Sequence, residues 1–149
     1  MRVALDTNVL VYAEGFNDAR RAAIAQDTIE ALERANIVVP LQVFGEFFRV
    51  LQRKSRLTPA EIASSVRRLR GLFETVATTP TIFDAAIDLC SRRPVQFWDA
   101  MIVAAAVEAG CGLLLSEDFG DDFEWAGLIV ANPFADVLHP LLAKALTPR

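Results

Sequence analysis

Four short runs in this chain, Val3-Ala4-Leu5, Ile37-Val38-Val39, Leu113-Leu114-Leu115 and Leu128-Ile129-Val130, contain no polar residue. A strand with one face in water alternates apolar and polar residues. Unbroken apolar runs must instead be buried on both faces, which is the condition of strands in a parallel sheet covered by helices. Between the runs the spacing becomes helical. Asp18 to Asn36 sets Ala22, Ile24, Ile29 and Leu32 along one apolar face. Pro40 stops the second strand, and Leu41 to Lys54 brings Leu41, Phe44, Phe48 and Leu51 into helical register. Thr58-Pro59-Ala60-Glu61 reads as a capping box with Pro at the first helical position, opening a helix to about Phe73. Thr75–Thr79 is expected to be a further strand, with Pro80–Arg92 and Gln96–Ala109 as helices, the second stopped by Gly110. The expected fold is α/β, three layers, with a central parallel sheet of four to five strands flanked by helices. The chain is expected to form one domain over 1–149, with 133–149 a loosely patterned C-terminal tail.

A chain of 149 residues can bury a substantial core. Apolar residues make up 53% of it and the mean hydropathy is +0.31. No segment supplies the ~18 uninterrupted apolar residues of a bilayer span. The apolar start is broken at once by Asp6, so it makes a poor signal peptide. No membrane contact is expected. The apolar excess belongs in the core or at an interface, which favours a homodimer, a protein partner, or both. Cys90 and Cys111 are isolated, arguing against structural zinc or a disulfide framework and for a reducing cytoplasm. The net charge of −4 does not advertise nucleic-acid binding. Yet thirteen of the fifteen cations are Arg, clustered at Arg49…Arg53-Lys54…Arg56, Arg67-Arg68-Arg70 and Arg92-Arg93. Each cluster reads equally as a phosphate grip or as a solvated helix face.

Several acids sit where acids are costly. Asp6 ends the first strand and Asp118 follows the Leu113–Leu115 strand, and ligands of open α/β sheets bind outside the carboxyl ends of strands. In isolation Asp118 also suits an ordinary acidic turn, beside Glu117, Asp121, Asp122 and Glu124. Asp99 shares a helical face with Ile102, Val103 and Ala106. An acid near a helix start complements the dipole, but that does not explain a face with no other polar residue. Glu46 stands at the border of an apolar stripe, a position shared by cleft residues and by exposed ones. Carboxylates gathered together force protonation unless a cation joins them. With Lys54 and Lys144 as the chain's lysines, a hard divalent ion is the better neutraliser, and an all-oxygen set suits Mg²⁺ or Mn²⁺. Thr7, Asn8 and Ser116 supply short polar groups to orient the acids from behind.

At these residues the chain resembles the PIN-domain ribonucleases, most closely the VapC-type toxins of type II toxin–antitoxin pairs. DTNVLVYA resembles the family's opening motif and puts its first acid on Asp6. FGEFFRVL resembles the second with Glu46, FWDAMIVAAA the third with Asp99, and LLSEDF the fourth with Asp118. The late IVANPF is similar to the segment that closes many of these toxins. The resemblance implies a three-layer PIN-like fold, Mg²⁺- or Mn²⁺-dependent RNA cleavage, a homodimer and a cognate antitoxin that reaches into the acidic site. It carries Asp6, Glu46, Asp99 and Asp118 over as metal-binding and catalytic, with Asn8 and Ser116 as support. Asp121 and Asp122 match less clearly, as possible extra ligands. The family's Ser/Thr-x-Asp pattern favours Asp118 over its neighbour Glu117.

The expected reaction is attack of an activated water on an RNA phosphorus, leaving a 5′-phosphate and a 3′-hydroxyl. His-dependent cleavage needs a separate base and acid, and the single His, His139, is expected at the surface of the tail. Phe97 and Trp98 are expected to pack in the core rather than stack on bases. A haloacid-dehalogenase-type phosphatase wants a second acid two residues after the first, where this chain has Asn8, and a receiver domain wants a Lys near the sheet. A DNA-directed nuclease of the same broad fold usually carries extra helical insertions. A catalytically inactive PIN-fold module binding RNA or protein is the alternative from another class.

Overall fold

The computed structural model describes residues 1–33, 36–120 and 122–147. The apolar runs become β1 (Val3–Leu5), β2 (Ile37–Pro40), β4 (Leu113–Leu115) and β6 (Leu128–Ala131), joined by β3 (Glu74–Val76) and β5 (Glu124–Trp125). All residues of β1, β2 and β4 are buried, as their unbroken apolar sequence requires. The sheet order is β3-β2-β1-β4-β6-β5, with β5 antiparallel to β6 and every other pair parallel.

The helices are α1 (Thr7–Ala13), α2 (Ala19–Ala31), α3 (Leu41–Lys54), α4 (Pro59–Arg70), α5 (Pro80–Arg92), α6 (Phe97–Glu108) and α7 (Pro140–Leu146). Right-handed crossovers fix the layers. The steps from β1 to β2 and from β2 to β3 run one way, which sets α1–α4 on one face. The step from β3 to β4 runs back past β2 and β1, which sets α5 and α6 on the other. The packing agrees: α1 lies on α2 and α3, α3 on α4, and α5 on α6, which itself lies against β2, β4 and β6.

The sheet has six strands, not four to five. The extra one is β5, paired through a two-residue turn at Ala126 and Gly127. Both take positive φ, 49° and 82°, as the tight hairpin twist demands. The α4 capping box forms as expected, with Thr58 accepting from the Glu61 amide and Glu61 accepting from the Thr58 amide. That helix ends at Arg70, short of Phe73, and the third strand is Glu74–Val76 rather than Thr75–Thr79. The expected Asp18–Asn36 helix ends at Ala31, where Leu32 turns extended so that its side chain can enter the core. The tail holds α7, and His139 is half-buried, its Nδ1 accepting from the Leu141 amide at 3.1 Å to cap that helix.

The buried core runs on both sides of the sheet, from Leu10, Val43, Phe47 and Leu51 to Ile82, Leu89 and Ile102. In α6 every residue from Ala100 to Ala106 is buried, so the helix is apolar all round. Cys90 and Cys111 are free thiols. No helix among the described residues is long and apolar enough to cross a membrane.

Candidate functional site

The strand order reverses between β1 and β4, and the crevice past their carboxyl ends is where an open α/β sheet binds its ligand. Pairing continues one step beyond the strands. The Asp6 amide donates to Leu115 O at 3.0 Å, and the Ser116 amide to Ala131 O at 3.1 Å. The register of the sheet therefore places Asp6 and Ser116 side by side.

Asp6 is the N-cap of α1, with Oδ1 accepting from the Thr7 amide at 2.7 Å. Its Oδ2 accepts from Ser116 Oγ at 2.5 Å, and only 3% of the residue meets solvent. Burial pushes its carboxyl up to about 7; the Ser116 and Thr7 donors pull the other way, and the charges of Asp118 and Asp99 add to the rise. Asp118 stands at the rim. Its amide donates to Ser116 Oγ at 3.1 Å and its Oδ2 accepts from Asn8 Nδ2 at 3.0 Å. Desolvation raises its carboxyl, then the charge of Glu117, while the Asn8 donor lowers it.

Asp99 projects from the first turn of α6, half-buried, and its carboxyl is raised by burial, then by Asp118 and Glu46. Glu46, on α3, accepts from Thr7 Oγ1 through one oxygen and from Gln42 Nε2 at 2.7 Å through the other. The four acids come from β1–α1, α3, α6 and the β4 exit, and each lies near enough to at least one other for its charge to be felt. Among the described residues none of the four has a Lys, Arg or His partner within ion-pair distance.

No three acidic, His or Cys side chains among the described residues are drawn up as a ready-made ligand set. Like charges keep apart, and Asp6, Glu46 and Asp118 hold neutral donors instead: Ser116, Thr7, Gln42 and Asn8. The donors are all oxygen and jointly anionic, the chemistry of a hard divalent ion. The residues fit such an ion. Asp121 lies outside the described residues. Asp122 is exposed at a left-handed turn position, φ 59°, and makes no hydrogen bond to the cluster among the described residues.

Three features escaped the sequence. Gln42 bridges the two helices, its Nε2 reaching Trp98 O at 3.0 Å as well as Glu46. Glu117, the rival to Asp118, is occupied elsewhere: it accepts from Tyr12 Oη at 2.8 Å and from Arg21 Nε at 3.1 Å. That group is clasped from below. Asn132 Oδ1 accepts from the Phe134 amide at 2.9 Å, setting the Phe134 ring edge-on to Tyr12 at 5.2 Å and beneath Arg21 at 5.7 Å. Trp98, expected in the core, is 56% exposed.

A cavity of about 520 Å³ lies away from these acids, between α2 and α7 beside Met1. A smaller cleft of about 270 Å³ opens against Asp99 and Asp118.

Comparisons with known proteins match this fold. No curated protein sequence matches the chain. Solved structures do. A toxin–antitoxin complex from Klebsiella pneumoniae superposes with a TM-score of 0.69 at 17% identity, covering 89% of this chain and 98% of that one. FitAcB from Neisseria gonorrhoeae gives 0.67 at 18% identity, covering 89% and 98%. VapC20 of Mycobacterium tuberculosis, described as a sarcin–ricin-loop-cleaving toxin, gives 0.62 at 21% identity, covering 78% and 91%. At such identities the likeness is one of fold. The sequence model of the PIN domain matches residues 3–124, a span that starts at β1 and takes in all four acids and the switch point between them. A match over that much of the chain, on a sheet of this order, places it: the chain belongs to the PIN domain family.

Proposed function

We propose that this protein is an Mg²⁺- or Mn²⁺-dependent endoribonuclease, the toxin of a toxin–antitoxin pair. The observation that carries the reading is the gathering of Asp6, Glu46, Asp99 and Asp118 around one crevice without a cationic partner among the described residues. Asp6, Asp99 and Asp118, with Glu46, hold the ion. When bound, it supplies an activated water at neutral pH and neutralises charge on the phosphate under attack. Ser116 and the Thr7 amide fix both oxygens of Asp6, and Asn8 fixes one oxygen of Asp118. Thr7 and Gln42 together hold Glu46. These bonds orient the acids before substrate arrives. The new bond joins water oxygen to phosphorus, and the 3′ oxygen leaves and takes a proton, giving a 5′-phosphate and a 3′-hydroxyl. His139 is engaged in capping α7, away from this step.

A protein antitoxin is the proposed partner, as in the Klebsiella complex, and a second copy of the chain is the other. Phe83, Ile87 and Trp98 are exposed, and the Phe83, Phe97 and Trp98 rings form a continuous edge-to-face run across α5 and α6. Such a patch suits a homodimer. Phe83→Asp combined with Ile87→Asp is expected to convert a dimer to a monomer by light scattering. A wild-type protein that is itself monomeric would remove this part of the reading.

The nuclease reading is tested by incubating the partner-free protein with total RNA, and with DNA as control, in Mg²⁺, Mn²⁺ or EDTA, beside Asp6→Asn and Asp99→Asn. RNA cuts that vanish with the chelator and with either substitution are the expected result. Metal binding with no cutting would favour the inactive binding module, and phosphate release from small esters a phosphatase.

A further inference from the structure

We infer that the cleft beside Asp99 and Asp118 seats the RNA nucleotide adjoining the cut, with Arg93 gripping its phosphate and the Phe119–Phe123 pair offering a surface to its base. The inference rests on the nuclease reading and adds to it a place and a residue for substrate.

The cleft is lined by Asp99 and Asp118, by Arg93, Pro94 and Val95, and by Phe119 and Phe123. Its lining therefore carries both signs of charge. A polyanion cannot lie against carboxylates alone, even with an ion between them, unless something holds the flanking phosphate. Arg93 is the cation in that lining. Its guanidinium carbon lies 4.9 Å from the centre of the Phe123 ring. A guanidinium stacked on a ring keeps its edge N–H donors directed outward, in the fork that matches two phosphate oxygens. Lys would provide charge there but no fork.

The turn that carries Arg93 is firmly built. The Arg93 amide donates to Leu89 O at 2.9 Å as the C-cap of α5, and the Val95 amide donates to Arg93 O at 2.8 Å. Cys90 Sγ donates to Val95 O at 3.4 Å, and Pro94 fixes φ between them. The backbone under Arg93 is set before substrate arrives, so less freedom is lost on binding. Phe119 and Phe123 lie 4.9 Å apart, tilted by 53°, with Phe123 buried and Phe119 only half-buried. Proteins that read single-stranded RNA stack its unpaired bases on such half-open aromatic faces. Arg92, the neighbour in sequence, pairs with Asp88 on the surface of α5. Of the Arg92-Arg93 cluster, Arg93 is the member that lines the cleft.

A purely structural Arg93 would hold the loop through its stem and ring contact, and Arg93→Met preserves much of that packing. The test measures binding of a short fluorescein-labelled single-stranded RNA in EDTA, where no cutting erodes the probe, across a KCl series. Arg93→Met is expected to weaken binding about tenfold and to reduce the slope of log K against log salt by about 0.7, the share of one phosphate. Arg93→Lys is expected to keep the slope and lose part of the affinity. In Mg²⁺, the Arg93→Met defect appears in KM more than in kcat. Wild-type affinity and slope in a folded Arg93→Met protein would overturn the inference, as would a wild type that binds no RNA. Absence of cutting by the wild type in Mg²⁺ and Mn²⁺ defeats the nuclease reading instead, and the binding series still decides Arg93 by itself.

Discussion

Asp99→Asn is expected to lower the rate of RNA cleavage by roughly 10²–10³-fold or more, with the fold intact. The magnitude follows from what a bound ion contributes: several kcal/mol of charge stabilisation, at 1.36 kcal/mol for each factor of about ten. Asn keeps the shape and one oxygen but loses the charge that holds the ion. The fold has little to lose. Asp99 caps nothing and makes no side-chain hydrogen bond among the described residues; its helix is held by the buried residues Ala100 to Ala106. Positions that only orient an acid should cost less. Ser116→Ala removes a hydroxyl that donates to Asp6 and accepts from the Asp118 amide, and a loss of about tenfold is expected there. Initial rates on a defined RNA in Mg²⁺ check both. An Asp99→Asn enzyme that keeps wild-type rate would remove that acid from the site.

The second large effect is on stability, and its sign is unusual. In the metal-free protein Asp6→Asn is expected to stabilise the fold at pH 8 by about 2–4 kcal/mol. The carboxyl of Asp6 sits at about 7 in the folded chain against an ordinary 3.8. Between those values the folded form keeps a proton that the unfolded chain has released. Stability therefore falls as pH rises through this window and stays low above it. Asn is neutral at every pH, and its side chain can still accept from the Thr7 amide. Its advantage should be largest at pH 8 and close to nil at pH 4. For a chain of this size the gain corresponds to a midpoint roughly 5–15 °C higher in thermal unfolding. A destabilised Asp6→Asn protein at pH 8 would show that the buried carboxylate is well satisfied by its donors. The same substitution that removes activity thus strengthens the metal-free fold, the trade expected where charge is held for function.

Much of this was legible in the residues because the physics was local. Short apolar runs bounded by turn or polar residues suit strands buried on both faces, and Thr58-Pro59-Ala60-Glu61 carries its own start signal. Asp6 and Asp99 declare themselves by being acids among apolar neighbours. What was not legible depends on distance. Glu117 and Asp118 are adjacent in sequence, and the difference between them is Arg21, 96 residues away, which occupies Glu117. Gln42 gives no periodic signal, and its role appears only when α3 meets α6. β5 is two residues long, too short for any alternation to register. α1 was hidden because Asp6-Thr7-Asn8 looks like a break in a strand, when Asp6 is the cap that starts the helix. Trp98 misled because a helix apolar on every side offers no pattern to say which end emerges from the core.

The central claim is that side chains from four separate segments form one divalent-ion site. Calorimetric titration of the purified protein with Mn²⁺ tests it most directly, beside Asp6→Asn, Asp99→Asn and Glu46→Gln. The account predicts saturable binding by the wild type that is weakened at least tenfold by each substitution at Asp6 or Asp99, with proton release near pH 6.5 as the Asp6 carboxyl gives up its proton. Binding of equal strength in all of these proteins, or none in the wild type, would contradict it.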